Sequence, residues 1–235
     1  MEKRVMSSRD KIREMTIIAM FIAIIAVMGF IPQVGFIQIF GVSATLIHIP
    51  VLIGAVLLGR KGGIILGLAF GLVSLIRATT SGGFDFLFIF PWVSILPRFI
   101  FGLIIYDFYR LIHKLIKIQI IALVVSFLLL SLIHSLMVLP MMVSTFPIIL
   151  NNANFTEIVG DSMSTIEGTN SFALAMKLIW GVLITNSIIE AALAAIIGGI
   201  VTDRLIKYLN FPGNKAPKQK LNTENIKEDN NEDSN

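Results

Sequence analysis

HIPVLIGAVLLGRKGG, residues 48–63, decides how this chain folds. It opens on His48 and Pro50, runs apolar to Leu58, then stops at Gly59-Arg60-Lys61-Gly62-Gly63 before turning apolar again at Ile64. Two cations set among glycines mark a reversal, because glycine reaches backbone angles that a tight turn needs. The stretch therefore reads as two antiparallel helices, Ala44 to Gly59 and Gly62 to Ile76, with a charged turn between them. His48 and Pro50 fall at the far end of the first, where a structural cap or loop contact competes with a place beside a pocket.

What surrounds that hairpin is oily. Hydrophobic residues make up 55% of the 235 and charged ones only 14%, and the mean hydropathy is +0.84. A soluble domain carries about a quarter charged residues, so this is an all-α membrane protein with lipid as its solvent. The net charge of +4 is no argument for nucleic acid, since basic residues in a membrane chain mainly set topology. Without cysteine, disulfides and thiolate metal sites are excluded.

About 20 apolar residues span the hydrocarbon as a helix. Besides the hairpin, candidate spans are Met15 to Ile31, Pro91 to Tyr109, Gln119 to Met141 and Phe172 to Leu205, giving six transmembrane helices. Lys and Arg orient them: five up to Arg13, two at Arg60-Lys61, three in 110–118 and six from Arg204 onward, against none in 32–43 or 142–170. Both termini are therefore expected in the cytoplasm. The organisation is a basic N-terminus (1–14), a six-helix membrane domain (15–208) and a polar tail (209–235) expected to be disordered.

No G-x-x-x-x-G-K-[ST] occurs, so any ATP that drives transport is hydrolysed by another chain. No catalytic set, cofactor site or metal-ligand cluster stands out, since His48, His113 and His134 fall in different elements. Polar residues inside helices are more telling, because lipid penalises them and they face a cavity or a partner. Arg98, with Ser94 one turn above, lies about 10 Å below the outer end of its helix. His134 lies about 9 Å below Pro140. Asn186 and Glu190 share one face of the last helix at i and i+4. All four fall in the outer half of the membrane.

Each also has a structural reading. Arg98 can pair with Glu190, His134 can be a packed core histidine, and Asn186 can tie two helices together. In the loop TTSGGFDFLFIF, 79–90, Phe84 and Phe86 stand among four phenylalanines that water would not favour. They read as a cover over a pocket or as an interfacial anchor. On the first helix Ala19 and Ala23 form A-x-x-x-A, with Ala26 on the same stripe, a spacing that lets another helix approach closely.

These features resemble the substrate-binding S components of energy-coupling factor (ECF) vitamin transporters. The run ATLIHIPVLIGAVLLGRKGGIILGLAFGLVSLIR, 44–77, and ILPRFIFGLI around Arg98 are similar to the pantothenate-specific branch. The resemblance covers roughly 12–208, and it departs at Arg60, where a proline is expected after Leu-Gly. It implies a cell-membrane, multi-pass subunit that binds a vitamin from outside and delivers it by toppling. Its partners would be a transmembrane T component, two cytoplasmic ATPases and the surrounding lipid. Ala19, Ala23 and Ala26 would face the T component, while the outer loops close over the vitamin. Under this reading Arg98 meets a carboxylate, Asn186 an amide or hydroxyl, and Trp92, Phe84 and Phe86 cover an apolar part. His134, His48 and Glu190 complete the set. Folate, riboflavin and a cobalamin precursor remain open as ligands. A rhomboid-like intramembrane protease is the alternative of another class, but Gly41-Val42-Ser43-Ala44 departs from its G-x-S-G.

Overall fold

The computed structural model describes residues 8–31, 35–39, 42–80, 87–150, 181 and 186–209. Helices dominate: α1 (Ser8–Phe30), α2 (His48–Ala78), α3 (Pro91–Leu115), α4 (Gln119–Leu150) and a last helix, α5, over 186–209. Among the described residues three helices are long and apolar enough to cross a membrane: Ser8–Phe30, His48–Ala78 and Gln119–Met142.

The second of these is not one rod. Gly59 has φ 75° and ψ −168°, outside the helical region, and glycine alone adopts such angles without strain. The residues on either side fold back on each other. A Cβ on Gly54 would strike Leu66, one on Gly63 would lie 3.1 Å from the Ala55 Cβ, and one on Gly62 would strike Leu58. Contacts paired around one centre are those of antiparallel arms, so the hairpin expected at Gly59–Gly63 is present. Arg60 at the turn pairs with Asp107 of α3 at 3.4 Å. Both side chains are half exposed, so the pair contributes about 1 kcal/mol at most.

The first arm, 48–58, is the centre of the molecule. Residues 48 to 57 are all buried, which is how a helix apolar on every side must be housed. Phe21 of α1 lies against Gly54, and Gly198 of α5 against Ile49. At 11 residues the arm is about 16 Å long, roughly half the hydrocarbon thickness. A short antiparallel hairpin precedes it. Strand β1 (Phe36–Ile39) pairs with β2 (Val42–Thr45) in the register Phe36↔Thr45 to Ile39↔Val42. The sequence reading had no strand here.

The second arm and α3 meet backbone to backbone. Gly63, Gly67 and Gly71 recur every four residues along one side of the arm. A Cβ on Gly67 would lie 2.5 Å from the Arg98 carbonyl oxygen and 3.0 Å from the Gly102 Cα, and one on Gly71 2.9 Å from the Ile95 Cα. Small residues at this spacing let helices touch in lipid, where association depends on close packing. The contact fixes where Arg98 stands. At the other end of the bundle, Gln119 at the start of α4 donates to Asp203 of α5 at 3.0 Å, and Lys207 reaches the same carboxylate at 2.6 Å.

Candidate functional site

Arg98 is 2% exposed, and its position follows from the residue before it. Pro97 has no N–H, so the helical bond from position 97 to the Val93 carbonyl cannot form. The Arg98 guanidinium fills that gap: Nη1 donates to the Val93 oxygen at 2.8 Å and to the Ser94 oxygen at 3.0 Å. It lies over two rings, with the guanidinium carbon 5.0 Å from the Phe70 centroid and 4.6 Å from that of Phe88. Aromatic faces are electron-rich and hold a desolvated cation. The Ser94 hydroxyl donates to the Phe88 and Phe90 carbonyls, anchoring the segment that brings Phe88 over the cation.

Next to the cation is an imidazole cluster. The His134 ring lies 4.8 Å from Phe101 and 5.6 Å from Phe70, and is stacked on His48 at 5.8 Å. His48 Nε2 is 3.0 Å from the Ser131 hydroxyl, one turn from His134 on α4. His134 is buried, and its Nε2 makes no hydrogen bond among the described residues. A buried polar atom left so costs about 1–3 kcal/mol, and such atoms in native structures commonly mark a bound group or water. The Ser131–His48 contact has the spacing of a nucleophile and base, but both side chains are sealed inside the protein, at 1% and 0% exposure.

The last helix closes the third side. Asn186 and Glu190 are buried on one face of α5. Glu190 Oε1 accepts from the Thr45 N–H and lies 3.4 Å from the Thr45 hydroxyl. Thr45 ends β2, three residues before α2 begins. The carboxylate therefore bolts the β-hairpin to α5 near a helix N-terminus, where a negative charge is favoured. Arg98 acts electrostatically on both Glu190 and His134.

Arg98, His134, His48 and Glu190 thus come together around one interior region, with Asn186 a turn from Glu190. Trp92 does not join them: it is 44% exposed and packs on Phe90 at 4.9 Å. Six residues on an α-helix turn about 600°, which carries Trp92 roughly 120° off the Arg98 face. Phe84 and Phe86 lie outside the described residues. Ala19 and Ala23 face outward on α1, while Ala26 packs partly against the core. The sequence singles out none of Phe70, Phe101, Ser131 and Thr45, and Phe88 only as one of the four phenylalanines of 79–90. Ser131 was within reach, being i−3 from His134 on the same helix.

The cluster thus sets an enclosed cation beside an imidazole nitrogen that has no hydrogen-bond partner among the described residues, with aromatic rings around both. Among the described residues no three His, Asp or Glu side chains are placed to hold a metal ion. Residues 13–201 match the family model described as ECF transporter, substrate-specific component. The chain belongs to that family. A member of this family whose described residues include Ser8–Phe30 and Gln119–Met142, each long and apolar enough to cross a membrane, is a multi-pass membrane protein, and the family leaves the protease alternative without support. Two relatives are transporters by name. The Pantothenic acid transporter PanT of Lactococcus lactis subsp. cremoris is 33% identical over 122 aligned positions, covering 45% of this chain and 62% of that one. The Pantothenate transporter PanT of Leuconostoc mesenteroides is 35% identical over 104, covering 42% and 51%. The match thus spans between half and two thirds of the relatives' own lengths.

Proposed function

We propose that this S component captures pantothenate at the outer side of the membrane and delivers it inward by toppling. It does so docked on a T component and two ATPases, with six transmembrane helices and both termini in the cytoplasm. The observation that carries the ligand reading is the buried Arg98 guanidinium beside a His134 Nε2 that has no hydrogen-bond partner among the described residues. Pantothenate offers one carboxylate for the first. Its hydroxyls and amide suit the imidazole and Asn186, and its gem-dimethyl group suits Phe70 and Phe101. The names of the two relatives support the same vitamin. The Lys and Arg asymmetry of the loops supports the topology. Mass spectrometry of small molecules released from the chain, purified from cells fed labelled pantothenate, is expected to recover the label. Recovery of another vitamin in its place would sink the assignment.

The outward-facing alanines on α1 support the docking surface. Replacing Ala19 and Ala23 by leucine should abolish co-purification with the T component and ATPases. Pantothenate affinity of the isolated chain should change less than about twofold, because neither side chain touches the polar cluster and only the close approach of a second helix is blocked. Normal assembly with weakened binding would instead make the stripe a packing surface within the chain.

A further inference from the structure

The sequence NSIIEAALAAIIGGIVTD, 186–203, has a period that an α-helix cannot keep. The first two residues of every four are buried: 186 and 187, 190 and 191, 194 and 195, 198 and 199, 202 and 203. They are all polar or small. The other two of each four turn wholly or partly outward and are nearly all Ile, Leu or Val. Four residues of α-helix overshoot a full turn by about 40°. Over the sixteen residues from Asn186 to Thr202 the drift would reach about 160°, leaving Thr202 facing lipid when Asn186 faces inward. Both are buried nonetheless, at 4% and 0% exposure.

The helix itself supplies the correction. Ala194–Gly198 is a π turn, which takes one residue more than an α turn. Absorbing that residue removes about 100° of rotation, so the two ends differ by only about 60° and share a face. Both ends are pinned. Above the turn Glu190 holds Thr45, and below it Asp203 holds Gln119 and Lys207. The turn is pressed into the core where it ends: a Cβ on Gly198 would lie 2.7 Å from the Phe127 ring, and one on Gly199 2.9 Å from the Val124 Cγ2.

We propose that the Ala194–Gly198 π turn is a positioning element. By absorbing one surplus residue it keeps Asn186 and Glu190 on the side of the Arg98–His134 cluster while Thr202 and Asp203 stay locked inside the opposite end. The consequence for binding rests on that cluster being the vitamin site; the consequence for helix register does not.

An insertion and a deletion separate this from an ordinary helix. In an unbroken α-helix either change rotates the upstream segment by about 100°, in opposite senses, and both are harmful. With a surplus residue present, deleting Ile197 only turns the π turn into an α turn and leaves Asn186 and Glu190 where they were. Inserting one alanine after Ile197 rotates Glu190 outward to the place of Ile189. The deletion is therefore expected to keep pantothenate affinity within about threefold, and the insertion to lower it at least 100-fold. The chain has no cysteine, so single nitroxide labels placed along 186–203 can report exposure to oxygen dissolved in lipid. The unaltered chain should show minima at the paired buried positions. The deletion should leave the minima at 186/187 and 190/191 in place, and the insertion should move them to 187/188 and 191/192. In both variants the minimum at Thr202 and Asp203 should persist, which shows that the chain is folded. Equal loss of affinity in both variants, or a shifted upstream pattern in the deletion, would overturn the proposal. A shifted pattern in the insertion with unchanged affinity would uphold the register and place the vitamin elsewhere.

Discussion

Replacing Gly67 by alanine should lower the midpoint of thermal inactivation in detergent, and replacing it by leucine should leave no folded, vitamin-binding chain. Two effects oppose each other in the alanine variant. Alanine is the better helix residue by about 0.5–1 kcal/mol. Its Cβ, however, would stand 2.5 Å from the Arg98 carbonyl oxygen and 3.0 Å from the Gly102 Cα. Both are backbone atoms of α3, and neither can rotate aside. Relief requires the helices to part, and overpacking of this kind costs about 1–3 kcal/mol. The clash should therefore win. Parting the helices also draws Arg98 away from Phe70, so pantothenate affinity should fall at temperatures where the protein is still folded. Leu68, the next residue, is 37% exposed and faces outward; Leu68→Ala should shift neither quantity appreciably. Equal inactivation midpoints for Gly67→Ala and Leu68→Ala would show that the close contact does not hold the two helices.

Residues that break a local expectation were readable before any coordinates. A charged Gly-Arg-Lys-Gly-Gly run inside an oily chain has to be a turn, and Gly59 takes the backbone angles of one. Arg98, His134, Asn186 and Glu190 stand out because lipid does not tolerate them singly, and the fold turns all four inward. Phe70 and Phe101 carry no such mark. Seventeen phenylalanines are present, and composition cannot say which of them face a cation rather than lipid. The chemistry of Trp92 suits the site, but the helical angle between it and Arg98 turns it outward. The hairpin 36–45 reads in the sequence as part of a loop, because two four-residue strands are too short to show a clear alternation. The stripe Gly63-Gly67-Gly71 was visible as a repeat of four but lay within a stretch read for its turn. The π turn was hidden for a different reason. A pattern of period four fits neither the α period nor the strand period, and only burial on both sides of Ala194–Gly198 shows that one residue is in excess.

On the proposed function, Arg98→Ala is expected to cause the largest loss of pantothenate binding of any single substitution, 100-fold or more by titration calorimetry on the purified chain. Arg98→Lys keeps the charge but loses the planar fork, and should weaken binding by about 1–3 kcal/mol. The difficulty is that Arg98 has a second task. It donates to the Val93 carbonyl that Pro97 leaves without a helical partner, so alanine at 98 also exposes a buried acceptor, worth about 1–3 kcal/mol of stability. Proline at 97 offers a way to separate the two. Pro97→Ala returns an N–H to the helix, and that N–H can reach the Val93 oxygen. In the Pro97→Ala background the stability lost on Arg98→Ala should shrink, because the acceptor again has a donor. The affinity lost should not shrink, because an alanine N–H at position 97 does not replace the guanidinium charge over Phe70 and Phe88. Coupling between the two positions is thus expected in stability and not in binding, a distinction that a double-mutant cycle measures directly. The alcohol analogue of pantothenate gives an independent reading. With no carboxylate to meet the cation, it should lose far less affinity than the acid in either Arg98 variant. If acid and alcohol weaken equally, or if Pro97→Ala restores binding to Arg98→Ala, then Arg98 braces its own helix and the carboxylate is read elsewhere.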